Sequence, residues 1–344
     1  GEPRAAFWAH WGLAISAAMT GEAEPVRRHL AKARALTDEL GSPGLKAWLA
    51  ELAVELYYAT GEWDRGIALA EQAISVSRTL NQSALTVRLL VLAGIIQLER
   101  GHFERGRDYV KEAWSMAESA KGDPDAPADF FMVIPAHVGK AACALWEGDY
   151  QQAVEVGEAG IALAEGSGYQ AWTVHRLLPI VAEAHLLLRD IDAAAEVGAK
   201  LRVLSEKLDH TLGLAWANAC DAVVGWLRGD SEQGAVQLRS AAEVLERIPM
   251  IPYAARIRRQ LAGRLAETGQ REEALAELRR VHKIFSELGA SGELTKTREM
   301  FREINARPPR KTLMAGVEGL TGREREIGRL VAQHLSNKAI AKAL

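Results

Sequence analysis

Apolar and polar positions along this chain alternate in pairs of helix-length segments, and the pairs recur about every 40 residues. In each pair, a longer and mainly apolar segment precedes a more charged one whose apolar residues lie three and four positions apart. A glycine, which permits the left-handed backbone that ends a helix, separates the two segments of nearly every pair. These positions are Gly21, Gly61, Gly101, Gly148, Gly229 and Gly269, with Asp190 in the one place that lacks a glycine.

A small residue follows five positions after most of these turns, where it would let the second helix lie close to the first. These residues are Val26, Gly66, Gly106, Ala153, Ala195, Gly234 and Ala274. A fixed period near 40 residues is typical of repeat arrays, in which each unit packs on its neighbours. We therefore predict an all-α fold over residues 1–304, with about seven antiparallel helical hairpins stacked into a right-handed superhelix and no sheet. The first helices of the hairpins are expected over residues 4–19, 44–59, 83–99, 128–146, 171–188, 211–227 and 252–267.

The fifth hairpin is predicted to be the least regular. It lacks the turn glycine, and Pro179 falls inside its apolar helix. Because proline has no backbone N–H and its ring clashes with the preceding turn, this helix should be kinked or loosened.

The turn pattern resembles the tetratricopeptide repeat. Gly61 is followed by the aromatic Trp63, the small Gly66 and then Ala73, and most other units keep this order. A period longer than the usual 34 residues resembles the long-repeat version found in MalT-like bacterial regulators. By this resemblance the first helices line a concave groove, and an NTPase domain that binds ATP would precede the repeats. The chain itself is expected to need no cofactor.

Aromatic and charged residues occupy many of the positions that would face this groove. We select five of them as candidate contacts to a small-molecule inducer or a protein partner, because tryptophan and arginine often anchor such ligands. The same side chains could instead pack between neighbouring helices, and the sequence favours neither alternative. The five candidates are Trp48, Tyr58, Arg88, Trp216 and Arg256.

A different pattern begins after the repeats. Residues 305–319 contain two adjacent prolines, basic residues and two glycines, which are typical of a linker. Residues 320–344 then open with Thr321 and Glu324 in capping-box spacing, and a second helix start follows at Ser336. Two short capped helices in this order are the first part of a helix-turn-helix unit.

Residues 320–344 resemble the start of the LuxR-type DNA-binding domain. The resemblance implies that Ser336 caps the second helix and that Asn337 and Lys338 contact DNA phosphates. Three positions depart from the family pattern and suggest a less stable unit: Gly328 replaces a buried leucine, His334 a helix-ending glycine and Ala339 the usual glutamate. The helix that would read bases in the major groove is expected to follow residue 344.

The net charge of −3 conceals an asymmetry between the two ends of the chain. Residues 1–253 carry 23 basic and 34 acidic side chains, whereas residues 254–344 carry 19 basic and 11 acidic ones. An anionic partner is therefore expected near the C-terminal part, although a solvated helix face would give the same counts. Cys143 and Cys220 match no metal spacing, and we expect them to be small core residues in a cytoplasmic protein. No apolar run reaches the length of a membrane span.

The sequence contains no catalytic motif, so we expect no enzyme in this chain. The preferred interpretation is the signal-sensing part of a LuxR-family transcription regulator, in which the repeats bind an inducer or partner and control DNA binding. A homo-oligomer is compatible with this interpretation. The alternative is a protein–protein interaction scaffold without a DNA function. An enzyme whose catalytic domain lies outside these residues is a third class that the sequence leaves open.

We expect residues 1–344 to bind duplex DNA weakly and without base preference. Lys338 and the basic end attract phosphates, and this attraction falls with salt through counterion release, whereas base discrimination needs side chains in the major groove. Titration against an operator and a scrambled duplex at two salt concentrations checks this expectation. A clear operator preference would contradict it, and adding the natural continuation should bring specific binding by a dimer on paired half-sites.

Overall fold

The computed structural model describes residues 2–120, 129–170 and 172–309. It divides into two compact units, residues 1–306 and residues 307–344, and the first of these is the repeat region. In the described ranges all regular secondary structure is helical. The helices are α1 (Glu2–Thr20), α2 (Ala23–Leu40), α3 (Pro43–Thr60), α4 (Trp63–Thr79), α5 (Ser83–Arg100), α6 (Phe103–Ala120), α7 (Phe130–Glu147), α8 (Tyr150–Ser167), α9 (Leu178–Leu188), α10 (Ile191–Lys207), α11 (Thr211–Leu227), α12 (Ser231–Arg247), α13 (Ile251–Glu267), α14 (Arg271–Leu288) and α15 (Ser291–Glu303).

Helices α1 to α14 pair in chain order into seven antiparallel hairpins. The fold is an all-α, tetratricopeptide-like right-handed superhelix, as the period predicts. The final helix, α15, is a single helix that packs on α14 and also contacts α5, far back in the chain.

The fifth position after each turn is where the two helices of a hairpin approach most closely. Ala153 is completely buried in a small cluster with Ala144, Val154 and Ala184. At Gly106 even a methyl group would be too large, because an added Cβ would lie 2.7 Å from Leu98 Cγ. Small residues at this position therefore set the helix–helix distance.

The fifth hairpin differs from the sequence prediction by one residue. The left-handed backbone at its turn belongs to Arg189 (φ 65°) rather than to Asp190. Asp190 instead caps α10, where its carboxylate accepts a hydrogen bond from the N–H of Ala193 at 3.1 Å. The buried small residue is accordingly Ala194 and not Ala195, because the fifth position is counted from the residue with the left-handed backbone.

Pro179 disturbs this hairpin as predicted. A five-residue π-helical segment, Thr173–Leu177, precedes α9, and Pro179 stands in the first turn of α9. A proline is tolerated there because the first N–H groups of a helix have no intrahelical partner. Arg176 and His175 belong to this π-helical segment, and both contact Glu55 on α3.

The superhelix coils tightly enough for its successive turns to touch, with α1 on α11, α3 on α13 and α5 on α15. The Thr211 hydroxyl donates to the carbonyl oxygen of Thr20 at 2.8 Å, and the Ser291 hydroxyl donates to that of Arg100 at 2.6 Å. Both bonds join residues 191 positions apart, so successive turns of the coil are aligned with the same sequence offset at both contacts. The turns of the first hairpins therefore pack against the links between the last ones, and the axis is enclosed.

Two further expectations can be compared with the described residues. Cys143 and Cys220 are buried free thiols, as predicted for core residues. None of the described helices combines the length and apolarity needed to cross a bilayer. Residues 310–344, which include most of the predicted linker and all of the predicted helix-turn-helix, lie outside the described residues.

We expect Ala153→Leu to lower the free energy of unfolding by about 1–3 kcal/mol, because the larger side chain cannot fit between α7 and α8. Hydrogen exchange should accelerate in α7 to α10, since each hairpin depends on its neighbours. Ala159→Leu is the matched control, because Ala159 is exposed on the same helix. Equal effects of the two substitutions on urea unfolding would contradict the packing argument.

Candidate functional site

Charged side chains from distant hairpins meet along the axis of the superhelix. Arg88 on α5 is 3% exposed, and its Nε donates to a carboxylate oxygen of Glu51 on α3 at 2.9 Å. Its Nη1 donates to the hydroxyl of Tyr169 at 2.8 Å, and its guanidinium lies 4.6 Å from the ring centre of Trp172. The guanidinium of this ion pair therefore also has two aromatic neighbours.

A second buried arginine lies beside the first. Arg176, in the π-helical segment, donates from Nη2 to the carboxylate of Glu55 at 2.9 Å. Its guanidinium stands 5.2 Å from the ring of Trp172 and 5.4 Å from that of Tyr58. Glu55 lies one turn along α3 from Glu51, so α3 presents two carboxylates to two guanidiniums.

A third group of ions joins the second hairpin to the end of the coil. The buried hydroxyl of Tyr58 donates to Glu99 at the end of α5. Arg256 on α13 has its Nη2 2.6 Å from Glu99 Oε1, and its Nε donates to Glu293 on α15 at 3.1 Å. A further guanidinium, that of Arg259, bonds to the same Glu293. We call these three groups together the axial network.

Burial and the neighbouring cations act in opposite directions on the acids of this network. At Glu293 burial is outweighed by the charges of Arg259 and Arg256, and the pKa is lowered. Burial prevails at the other two acids: it raises the pKa of Glu51 against the opposing charge of Arg88, and it raises the pKa of Glu99 against that of Arg256. A buried carboxylate deprived of its arginine would be costly, whereas a complete pair is close to neutral for stability. The network therefore fixes which helices meet at the axis more than it stabilises the fold.

Next to the network, α1, α3, α11 and α13 enclose a cavity of about 110 Å³, which we call the axial cavity. One side is apolar, and the other side carries the ion pairs Glu51–Arg88 and Glu55–Arg176. Its apolar wall includes Ile15, Met19, Leu52, Leu56, Leu212 and Met250.

His210 also lines the axial cavity, and its tautomer is fixed by a helix cap. The residue is 1% exposed, and its Nδ1 accepts a hydrogen bond from the N–H of Gly213 at 3.1 Å, which caps α11. In the neutral ring the hydrogen must then sit on Nε2. Burial lowers the pKa of His210 to about 4, so the ring is neutral at pH 7.

A larger groove of about 360 Å³ lies between α7, α9, α11, α13 and α15. Leucine and tryptophan side chains form its floor, and five basic residues stand against two acidic ones along its walls. We call it the basic groove. Its charged lining residues are Arg189, Arg256, Arg259, Arg264, Lys296, Glu183 and Glu293.

The structure brings four of the five candidate groove residues to the axis. Tyr58 and Arg88 line the axial cavity, and Tyr58, Trp216 and Arg256 line a smaller cavity of about 50 Å³ beside it. Tyr58 and Arg88 are only 2% and 3% exposed, so the expectation that they stand open in a groove is wrong. The coil encloses them because distant hairpins supply their partners. Whether the five residues contact a ligand stays a prediction.

Trp48 lies apart from the other candidates. It packs edge to face against Trp8 and Trp11, with ring centres 5.6 and 5.8 Å away, in a cluster of the first two hairpins. Trp8 in this cluster is 42% exposed. The DNA-contact candidates Ser336, Asn337 and Lys338 lie outside the described residues, so their roles stay predictions.

Several members of the site were not predicted, notably Glu99, Arg176, His210 and Glu293. Glu99 and Arg176 interrupt otherwise apolar helices, and a charge in such a segment is the one signal that could have indicated them. His210 and Glu293 lie at helix starts, where polar residues are ordinary. In the described residues no three histidine, cysteine or acidic side chains are grouped as metal ligands would be.

No family model matches the sequence, and no curated protein matches it either. Solved structures do match. The chain is similar to a Rap protein complexed with competence and sporulation factor, with a TM-score of 0.66 and 15% identity over 85% of this chain and 77% of that one. It is similar to aspartyl phosphate phosphatase F from Bacillus subtilis, with a TM-score of 0.57 and 16% identity over 82% and 71% of the two chains.

A third similar structure is a signal transduction ATPase with numerous domains and a tetratricopeptide repeat sensor, from Pyrococcus horikoshii. The TM-score is 0.52 at 13% identity, over 90% of this chain and 44% of that one. At these identities the three structures establish the repeat fold and nothing finer.

We expect Arg88→Met to destabilise the protein by about 3–5 kcal/mol, because it leaves the Glu51 carboxylate buried without its cation. Adding Glu51→Leu should recover most of this loss, since an apolar pair replaces the ion pair. Arg78→Met is the matched control, because Arg78 joins exposed parts of α4 and α6 through Glu112 and should cost at most about 1 kcal/mol. Urea unfolding of the three variants and the unsubstituted protein measures these differences, and a double variant less stable than Arg88→Met would contradict the argument.

Proposed function

We propose that the repeat superhelix is a regulatory interaction module that holds an acidic segment of a partner protein in the basic groove. The observation that carries this proposal is the composition of the groove. Five basic and two acidic residues surround an apolar floor there, whereas residues 1–253 as a whole are acidic. Charge of one sign concentrated around an apolar cleft favours a partner of the opposite sign.

Two cations in the groove are available to a partner. Lys296 and Arg189 have no carboxylate within ion-pair distance among the described residues. The ammonium group of Lys296 lies 4.8 Å from the ring centre of Trp146, which holds it over the floor of the groove. Arg256 and Arg259, in contrast, are already bound to Glu293. An acidic partner therefore gains new ion pairs at Lys296 and Arg189.

The apolar floor supplies the second part of the recognition. Leu187 is 45% exposed and lines the groove together with Leu145, Leu186 and Leu227. Exposed leucines beside free cations suit a peptide in which acidic and apolar side chains alternate. The similar structures include a Rap protein in complex with a factor and a repeat region described as a sensor, which supports a binding role.

Control of DNA binding is a second candidate function, and it rests on sequence alone. The capping box at Thr321 and the second start at Ser336 support a LuxR-type unit that the repeats would regulate in a cytoplasmic regulator. An ATP-binding domain before the repeats belongs to the same proposal. A scaffold without a DNA function needs only the basic groove, and the similarity to Rap-type repeat structures favours it.

We expect a fluorescein-labelled hexapeptide of alternating glutamate and leucine to bind the protein at low salt. The affinity should fall as salt screens the charges, and a peptide with lysine in place of glutamate should bind at least tenfold more weakly. Lys296→Glu should weaken binding of the acidic peptide by about tenfold, since it removes one attraction and adds one repulsion. Fluorescence anisotropy measures each affinity.

Lys283→Glu is the matched control for this experiment. Lys283 is exposed on α14 and does not line the groove, so reversal of its charge changes the net charge equally. If both reversals weaken binding to the same extent, the peptide senses only overall charge, and the groove is not the site.

A further inference from the structure

The axial cavity is a second site, separate from the basic groove. The residues that line the two do not overlap, and the 50 Å³ cavity bounded by Tyr58 and Arg256 lies between them. The axial cavity is lined by residues that are distant in the sequence, including Met19 on α1 and Met250 before α13. A molecule inside it would contact hairpins that are distant in the sequence.

Two buried donors at this cavity lack acceptors. The Nε2–H of His210 and the Nε–H of Arg176 have no hydrogen-bond partner among the described residues. The tautomer of His210 is not free to change, because the N–H of Gly213 already occupies Nδ1. An unpaired buried donor costs about 1–3 kcal/mol, so an acceptor delivered by a ligand is strongly favoured.

The charges around the cavity argue that the ligand is uncharged. Glu51 is paired with Arg88 and Glu55 with Arg176, so the ionised groups balance. His210 adds no charge at pH 7, because burial holds its pKa far below neutrality. An ionic ligand would enter without a counter-ion, and burial of an unpaired charge is costly.

The size and the apolar wall limit the rest of the ligand. A cavity of about 110 Å³ is somewhat smaller than the roughly 150 Å³ of an engineered apolar cavity that takes up benzene. A five-membered carbon ring or an equivalent branched chain fills such a space. Aliphatic and thioether side chains opposite the ion pairs provide its contacts.

From these observations we propose that the axial cavity binds a small, uncharged, apolar molecule whose carbonyl oxygen accepts a hydrogen bond from Nε2 of His210. The proposal does not depend on the partner proposed for the basic groove. The ligand lies against the ion pairs Glu51–Arg88 and Glu55–Arg176, which join α3 to α5 and to the π-helical segment, so its binding should also resist unfolding of the coil.

Cyclopentanone and methylenecyclopentane form a matched pair of probes, because they share one shape and differ in the acceptor. Methyl-¹³C methionine spectra report on the site, since Met19 and Met250 line the cavity whereas Met116 and Met300 do not. Both probes should shift the Met19 and Met250 signals alone. Titration of these shifts gives a dissociation constant for each probe.

The two probes differ in water solubility, but this difference is the same for every protein variant. A change in the ratio of their dissociation constants between variants therefore reports on the hydrogen bond. In His210→Phe and in His210→Asn, cyclopentanone should lose about tenfold in affinity relative to methylenecyclopentane, which corresponds to about 1.4 kcal/mol. Asparagine can still cap α11, so a change seen with both variants does not come from loss of the cap. His282→Phe is the control, because His282 is also buried with an unpartnered Nε2 but lies outside the cavity.

An unchanged ratio in the two His210 variants would overturn the proposed hydrogen bond. A failure of both probes to shift Met19 and Met250 would overturn the cavity as a ligand site. Either result leaves peptide binding at the basic groove unaffected, so the two proposals fail separately.

Discussion

The burial of charge along the axis is the constraint on which the arrangement of this superhelix depends. Two buried acids at the axis have their cations on other hairpins: Glu51 on α3 meets Arg88 on α5, and Glu99 on α5 meets Arg256 on α13. In an open solenoid stability comes from neighbouring repeats alone. Here the second of these pairs forms only when the coil has closed, because its members belong to the third and the seventh hairpins. Closure therefore removes an electrostatic penalty that an extended form would leave in place at the axis.

The same network connects the two proposed sites. Tyr58 lines the axial cavity and donates to Glu99, Glu99 holds Arg256, and Arg256 lines the basic groove. A ligand in the cavity and a peptide in the groove would thus act on one chain of charged contacts. A contiguous chain of packed and hydrogen-bonded side chains is one physical route by which two sites can be coupled.

Local pattern was sufficient to predict the repeats, because turn residues and small contact residues recur with a fixed period. It misplaced one turn by one residue, since Asp190 is a plausible turn residue and Arg189 is not, yet Asp190 is needed as the cap of α10. Tyr58, Arg88 and Arg256 could be selected because they project inward from first helices. Their partners Glu99 and Glu293 could not, because the pitch of the coil decides which hairpins meet. The DNA-binding interpretation of residues 320–344 depends on resemblance alone and stays a prediction.

The contacts between successive turns of the coil affect how such a protein can change in evolution. Repeat arrays commonly lengthen or shorten by whole units, because each added unit finds the same neighbours. In this chain Thr211 bonds to Thr20 and Ser291 bonds to Arg100 at one constant offset. Duplication or loss of a single 40-residue unit between the two members of a contact would change this offset. The hairpin turns would then meet different links, and both hydrogen bonds would be lost. The number of hairpins in one turn of the coil, between the two members of each contact, is therefore fixed by these contacts.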